Sequence, residues 1–140
     1  MSVAVRRGIY GKLSGDSTLT AMLGTAAPGY AKSIYYGKAP SGAGFPYIIF
    51  NKQSRVRDYA LSAKTFDRDV WLIKAVDRSD SADVADNIVS RLETLLTDAT
   101  LSISGKTVSY LRAESDVDYP EVVDGVTYRH AGSLFRLITQ

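Results

Sequence analysis

Two acidic residues near the middle of the chain have a spacing that could support chemistry. Asp67 and Asp69 flank Arg68 in an apolar segment, so on a β-strand the two carboxylates would share one face. Paired carboxylates can carry out general acid–base catalysis. The sequence places no second catalytic residue beside them, and we therefore expect a solvated strand end.

A second acidic series has members spaced by three residues: Asp77, Asp80, Asp83 and Asp86. Neighbours at this spacing on a helix could approach one cation, but the calcium-loop pattern with its central glycine and terminal glutamate is absent. The first two members fall before or at a predicted helix start, where carboxylates cap free amides and favour the positive end of the helix dipole. We interpret the series as helix capping.

The other candidates for catalytic, metal or phosphate chemistry are weak. His130 is the only histidine and alternates with its neighbours on a predicted strand, which predicts a partly exposed strand residue and leaves zinc short of ligands. The glycine-rich elbow at residues 37–44 precedes a strand, whereas phosphate loops precede a helix. There is no cysteine. We predict no catalytic residue, no metal site and no cofactor, and hence no enzyme.

Basic residues surround a predicted hairpin at residues 51–64. They are Lys52, Arg55, Arg57 and Lys64, with the aromatic Tyr59 among them. Basic groups beside an aromatic ring can contact nucleic acid, but arginine is also enriched in protein interfaces. Both a nucleic-acid contact and a subunit contact remain open for this hairpin.

The bulk properties limit the class of protein. A chain of 140 residues fits one domain, residues 1–140, and its net charge of +2 is too small to indicate nucleic acid or membrane binding. The lack of cysteine excludes a disulfide framework. No apolar run suits a signal peptide or a membrane span, so we expect no membrane partner.

Hydrophobic periodicity predicts three helices. Val5, Ile9 and Leu13 share one face of a first helix, and a short second helix starts at Asp16 or Ser17. A long helix is predicted for residues 81–96. Its apolar stripe is Ala85, Ile88, Val89, Leu92, Leu95 and Leu96.

Alternation and turn residues predict the strands and loops. Strands are expected at residues 34–36, 46–56, 66–76, 101–104, 107–117 and 127–139, with a hairpin loop at residues 58–64 and a polar loop at residues 118–125. Both faces of the 66–76 strand are apolar from Val70 to Ile73, which predicts a central position. The sequence therefore predicts an α+β fold, with a largely antiparallel sheet and a long helix and an N-terminal helical pair packed on one face.

The order of several short motifs is more specific than any one of them. The motifs are Asp16-Ser17-Thr18-Leu19-Thr20-Ala21-Met22-Leu23-Gly24, Ile34-Tyr35, Ala39-Pro40-Ser41-Gly42, Phe45-Pro46-Tyr47-Ile48, Asp69-Val70-Trp71 and Tyr128-Arg129-His130-Ala131-Gly132. In this order they resemble the tail-completion (tail-terminator, head-tail joining) proteins of long-tailed bacteriophages. Gly8 and Gly11 depart from the Ala/Leu-rich first helix of that family.

This resemblance implies a structural virion protein at the head-proximal end of the tail, assembled in the bacterial host cytoplasm. Such a protein forms a ring, a hexamer by the resemblance, that caps the tail tube, ends tube polymerisation and allows head–tail joining. Its partners are then itself, the tail tube protein and the head–tail connector proteins, with DNA passing through the lumen.

A closed ring requires two different patches on each subunit. The hairpin at residues 51–64 and the loop at residues 118–125 are our candidates, because projecting loops often carry binding. The candidate subunit or partner contacts are Lys52, Arg55, Arg57, Tyr59, Lys64, Glu121 and Asp124. The alternatives are a head–tail connector or minor tail protein, a small nucleic-acid-binding domain, and a small enzyme with an unrecognised site.

Overall fold

The computed structural model describes residues 2–61, 63–78 and 82–140. The helices are α1 (Ser2–Ser14), α2 (Ser17–Ala21) and α3 (Asp83–Leu96). The strands are β1 (Ile34–Tyr36), β2 (Tyr47–Ala60), β3 (Ala63–Asp77), β4 (Val108–Val123) and β5 (Val126–Thr139).

The five strands form one sheet in the order β1-β2-β3-β5-β4. Only β1 and β2 are parallel, and every other neighbouring pair is antiparallel. The α+β fold and the central position of β3 are confirmed. The strand predicted at residues 101–104 is wrong, since this segment contributes only an isolated bridge between Ile103 and Lys106.

The core lies between one face of the sheet and the helices. Trp71 and Ile73 of β3 and Phe135 of β5 are at most 1% exposed on this face. The apolar stripes of α1 and α3 pack against them, as their spacing predicted. The stripe residues that are buried are Val5, Ile9, Leu13, Ala85, Ile88, Leu92 and Leu96.

Helix α1 runs through both of its glycines. A Cβ on Gly8 would lie 2.8 Å from Cγ1 of Ile103 and 2.9 Å from the carbonyl oxygen of Ser102. Glycine at position 8 therefore lets the segment before β4 pack directly on the helix, which explains the departure from an Ala/Leu-rich pattern there, whereas a Cβ on Gly11 would meet nothing within 4 Å.

Asp16 joins the two N-terminal helices to α3. Its Oδ2 accepts a hydrogen bond of 2.9 Å from the backbone N–H of Leu19, which makes it the N-cap of α2 as predicted. The same carboxylate accepts two hydrogen bonds from the Arg91 guanidinium, of 2.7 and 2.8 Å. The bond to Arg91 is the main cause that lowers the pKa of Asp16.

The start of α3 differs from the capping prediction. Asp83 and Asp86 lie in its first turn, but the N-cap is Ala82, which makes no side-chain cap. Asp77 is the last residue of β3, and its Oδ1 accepts from the backbone N–H of Arg78 at 2.8 Å, so it does not cap the helix. The predicted cap residue Asp80 lies outside the described residues.

Two predicted loops are strands in the structure. Strand β2 continues to Ala60 and β3 begins at Ala63, so most of the predicted 58–64 loop is paired backbone. The predicted polar loop at residues 118–125 is also wrong, because β4 continues to Val123 and pairs with β5. The loop was predicted partly because it contains Pro120. An edge strand tolerates proline, however, because its outward side needs no N–H donor.

None of the helices in the described ranges has the length and apolar character of a membrane-spanning segment.

We expect Leu92→Asp to abolish folding. Leu92 is 1% exposed in the core, and burying an unpaired carboxylate costs several kcal/mol against a total stability of about 5–15 kcal/mol. Circular dichroism during thermal unfolding measures the effect, with Ser90→Asp on the exposed side of α3 as the matched control. A normal unfolding transition for Leu92→Asp would contradict this account of the core.

We expect Asp16→Asn to lower the urea midpoint at pH 7, since it removes the ion pair with Arg91. The pKa of Asp16 is lowered by folding, so its stabilisation is present above the unfolded value of about 3.9 and is lost as the pH falls through the folded pKa. The difference between wild type and variant should therefore shrink in acid. A difference that stays constant from pH 7 to pH 2.5 would contradict the role of the charge.

Candidate assembly surfaces

Two hairpins extend past opposite ends of the sheet. Strands β3 and β5 pair from Asp67 with Thr139 to Asp77 with Arg129. The β2–β3 hairpin continues beyond the first pair and the β4–β5 hairpin beyond the second. We call these extensions the first arm (residues 58–66) and the second arm (residues 121–128).

The first arm has an apolar tip. Tyr59 is 65% exposed and Leu61 is fully exposed at the turn, where its φ of 55° is unusual for a leucine. Phe66 is partly exposed on the returning strand. Large exposed apolar side chains on a projecting hairpin make it a candidate contact surface.

The second arm ends in a tight turn. Asp124 and Gly125 have φ values of 51° and 77°, and Val123 pairs with Val126 around them, as in a two-residue hairpin loop of type I′. Val122 is 68% exposed, and Val123 and Val126 are also exposed. The second arm therefore also presents apolar side chains, next to the carboxylate of Asp124.

The base of the second arm is held by His130. Its Nε2 lies 3.1 Å from Oε1 of Glu121, and its ring stacks on Tyr119 with centroids 4.6 Å apart. His130 is 8% exposed, so the prediction of a partly exposed residue is wrong. The extra length of β4, which sequence reasoning missed, supplies the two residues that cover it.

The base of the first arm contains a buried network of charges. Arg55 donates two hydrogen bonds to Asp69, of 2.6 and 2.8 Å, and Nη1 of Arg55 lies 4.0 Å from Asp67. Lys106 Nζ lies 2.6 Å from Asp67, and the indole N–H of Trp71 donates to Asp69 at 3.2 Å.

The solvated strand end predicted for Asp67 and Asp69 is therefore wrong, because both residues are at most 1% exposed. Cations from two other segments, Arg55 and Lys106, neutralise the pair. The pattern that suggested acid–base catalysis is instead a structural ion network.

The sequence-based contact candidates therefore separate into different environments. The side chain of Arg55 is only 8% exposed and is committed to Asp69. Arg57 and Asp124 are exposed, and Lys52 is half-buried. The side chain of Lys64 lies outside the described residues. We keep the exposed members as candidates for partner contacts.

Sequence reasoning missed the valines of the second arm and Leu61. One signal for the second arm was present, since an Asp-Gly pair between apolar residues is a strong indicator of a tight hairpin. Within the described ranges, no group of three or more His, Cys, Asp or Glu side chains is arranged to hold a metal ion. The surfaces described here are suited to protein contact.

The buried and exposed arginines should differ sharply in their effect on stability. We expect Arg55→Ala to lower the free energy of unfolding by about 3–5 kcal/mol, because it leaves a buried carboxylate unpaired. Arg57→Ala is the matched control and should stay within about 0.5 kcal/mol of wild type. Urea titration measures both values. Equal losses for the two variants would contradict the network's structural role.

Comparison with known proteins places this architecture in a family. The family model described as tail completion protein gp17 matches residues 7–133. A chain from a solved structure described as the virion of a native gene transfer agent (GTA) particle has a TM-score of 0.80 at 17% identity. That comparison covers 99% of this chain and 96% of the other chain.

A second solved chain has a TM-score of 0.60 at 13% identity, covering 99% of this chain and 95% of the other. At such low identity these two structures show a shared fold alone. No curated protein matches the sequence. Because the family model covers most of the chain, this is a virion tail protein, and it belongs to the family of tail completion protein gp17.

Proposed function

We propose that this protein caps the head-proximal end of the tail tube as a ring, ends tube polymerisation and allows the head to join. The observation that carries the proposal is the pair of arms with apolar tips at opposite ends of one sheet, in a chain of the tail-completion family.

The two arms suit a protein that must contact two different partners. A cap meets the tube on one side and the head–tail connector proteins on the other. If the strands run broadly along the ring axis, one arm lies at each face of the ring. Both tips expose large apolar side chains, which is the chemistry expected at the centre of a protein contact.

The ring itself requires contacts between unlike surfaces that close by rotation. We propose a hexamer, assembled in the host cytoplasm, through whose lumen DNA passes. The role is structural and involves no catalysis. A particle role agrees with the fold shared with a chain of a gene transfer agent virion.

The charge network argues against the alternative hypothesis of a nucleic-acid-binding domain. It depended on a basic hairpin, but Arg55 is committed to Asp69 inside the protein. A head–tail connector or minor tail protein would use the same two arms, so the deciding measurement is whether the protein caps tubes.

The arms should have separable roles. We expect Tyr59→Ser with Leu61→Ser in the first arm, and Val122→Ser with Val123→Ser in the second, each to remove one function. One double variant should fail to cap polymerising tail tube protein, giving tubes of uncontrolled length by negative-stain microscopy. The other should cap tubes but fail to join heads.

Thermal unfolding and light scattering on both variants control for loss of fold and of the ring. Substitution of arm residues that already face solvent should leave the fold intact. If both folded variants cap tubes and join heads as well as wild type, the arms are not the partner contacts. If the wild-type protein leaves tube length unchanged, the capping function itself is wrong.

A further inference from the structure

The sheet has two open edges on opposite sides. Strand β1 pairs only with Ile48–Phe50 of β2, so residues 51–60 have a neighbour on one side only; we call them the β2 edge. On the other side β4 is the outermost strand, and residues 115–123, after its last irregularity, are the β4 edge. Among the described residues, no backbone bond from outside the sheet reaches either edge.

We propose that neighbouring copies of this protein join by pairing the β2 edge of one copy with the β4 edge of the next. This inference rests on the proposed ring and names the contact that closes it. An exposed row of backbone N–H and C=O groups is a template for a further strand, and here the partner strand comes from a second copy.

Strand direction permits this pairing in a ring. Strand β2 is antiparallel to β3, β3 to β5, and β5 to β4, so β2 and β4 run in opposite directions within one copy. Rotation about an axis along the strands preserves direction, so the neighbour's β4 would also run opposite to β2. The new pair would be antiparallel and would continue the pattern of the sheet.

The charges favour contact between a β2 edge and a β4 edge over contact between two identical edges. The β2 edge contains three basic residues and one acidic residue, although Arg55 is already paired with Asp69 inside the protein. The β4 edge contains three acidic residues and no basic one. Among the described residues, Arg57 and Asp116 have no ion-pair partner, and both are exposed. Two β4 edges would repel each other, whereas β4 would attract β2. This selects a head-to-tail contact over a two-fold one.

The positions of the two edges along the strand direction fit a ring in which the strands are tilted relative to the ring axis. Through the registers of β3 and β5, Asn51 lies level with Ser115, and Val56 lies level with Tyr110. Five strands spaced by about 4.8 Å and tilted by about 35–45° shift the next copy along the strands by roughly 17–24 Å, or five to seven residues. A shift of six brings Val56 opposite residues 115–117 and places Arg57 near Asp116. Residues 115–121 then pair with the β2 edge, and the rest of the second arm must bend out of the sheet where β1 covers Ile48–Phe50.

Cysteine cross-linking tests the contact, since the chain has no cysteine of its own. Val56→Cys is combined in turn with Ser115→Cys, Val117→Cys or Tyr110→Cys. Within one copy β2 and β4 are three strand spacings apart, about 14 Å, which is too far for a disulfide. Every disulfide must therefore join two copies.

We expect Val56→Cys with Ser115→Cys or Val117→Cys to give a ladder of covalent oligomers on non-reducing gels. The amount of cross-linked product should be at least tenfold lower for Val56→Cys with Tyr110→Cys and for each single-cysteine variant. The samples are the concentrated protein and the protein mixed with polymerised tail tubes. Arg57→Asp and Asp116→Arg should each weaken the ladder, and the double reversal should restore it.

Light scattering on the same samples separates the two proposals. If light scattering shows oligomers but Val56→Cys forms no disulfide with a cysteine at residue 115 or 117, the edge pairing is wrong and the capping ring remains intact. Efficient dimers from Val56→Cys alone would overturn the edge pairing as well, because they require two like edges to meet. Protein that remains monomeric in both samples contradicts the ring and the edge pairing together.

Discussion

The hydrogen bonding of β3 on both of its sides is the constraint on which the rest of the structure depends. Strand β2 pairs with it along nearly its whole length, while β5 pairs with it only from Asp67 to Asp77. One face of β3 carries the core residues Trp71, Ile73 and Ala75. Since β5 stops short of the β2–β3 turn, and β4 and β5 continue past the end of β3, the same pairing that builds the core also creates the two arms.

Charged groups are buried where β3 leaves the apolar core. The carboxylates of Asp67 and Asp69 would be costly there without partners, and Arg55 from β2 and Lys106 from the segment before β4 supply them. The network links three parts of the chain at the base of the first arm. A rigid base matters for an exposed arm, because a contact surface that is already ordered loses less entropy on binding.

The molecule presents distinct surfaces in four directions. The arms lie at the two ends of the strands, and the open edges of β2 and β4 lie at the two sides of the sheet. The proposed ring would use the two edges for contacts between copies and the two arms for contacts with other proteins. The acidic pair whose spacing suggested acid–base catalysis is buried and paired with cations, so it serves stability.

Local patterns in the sequence determined the helices, the short strand β1 and the central character of β3. The apolar stripe of α3 and the Asp16 cap depend on residues three or four positions apart, so sequence spacing alone specifies them. The ordered motifs around Phe45-Pro46-Tyr47 also pointed to the family. The length of β4 and the environments of Arg55, Asp67, Asp69 and His130 were decided only by tertiary structure. A polar segment such as residues 118–123 becomes a strand because β5 offers it a long partner, and a charged residue becomes buried because distant segments bring the opposite charge. Both depend on contacts between residues far apart in the chain, which no local pattern records.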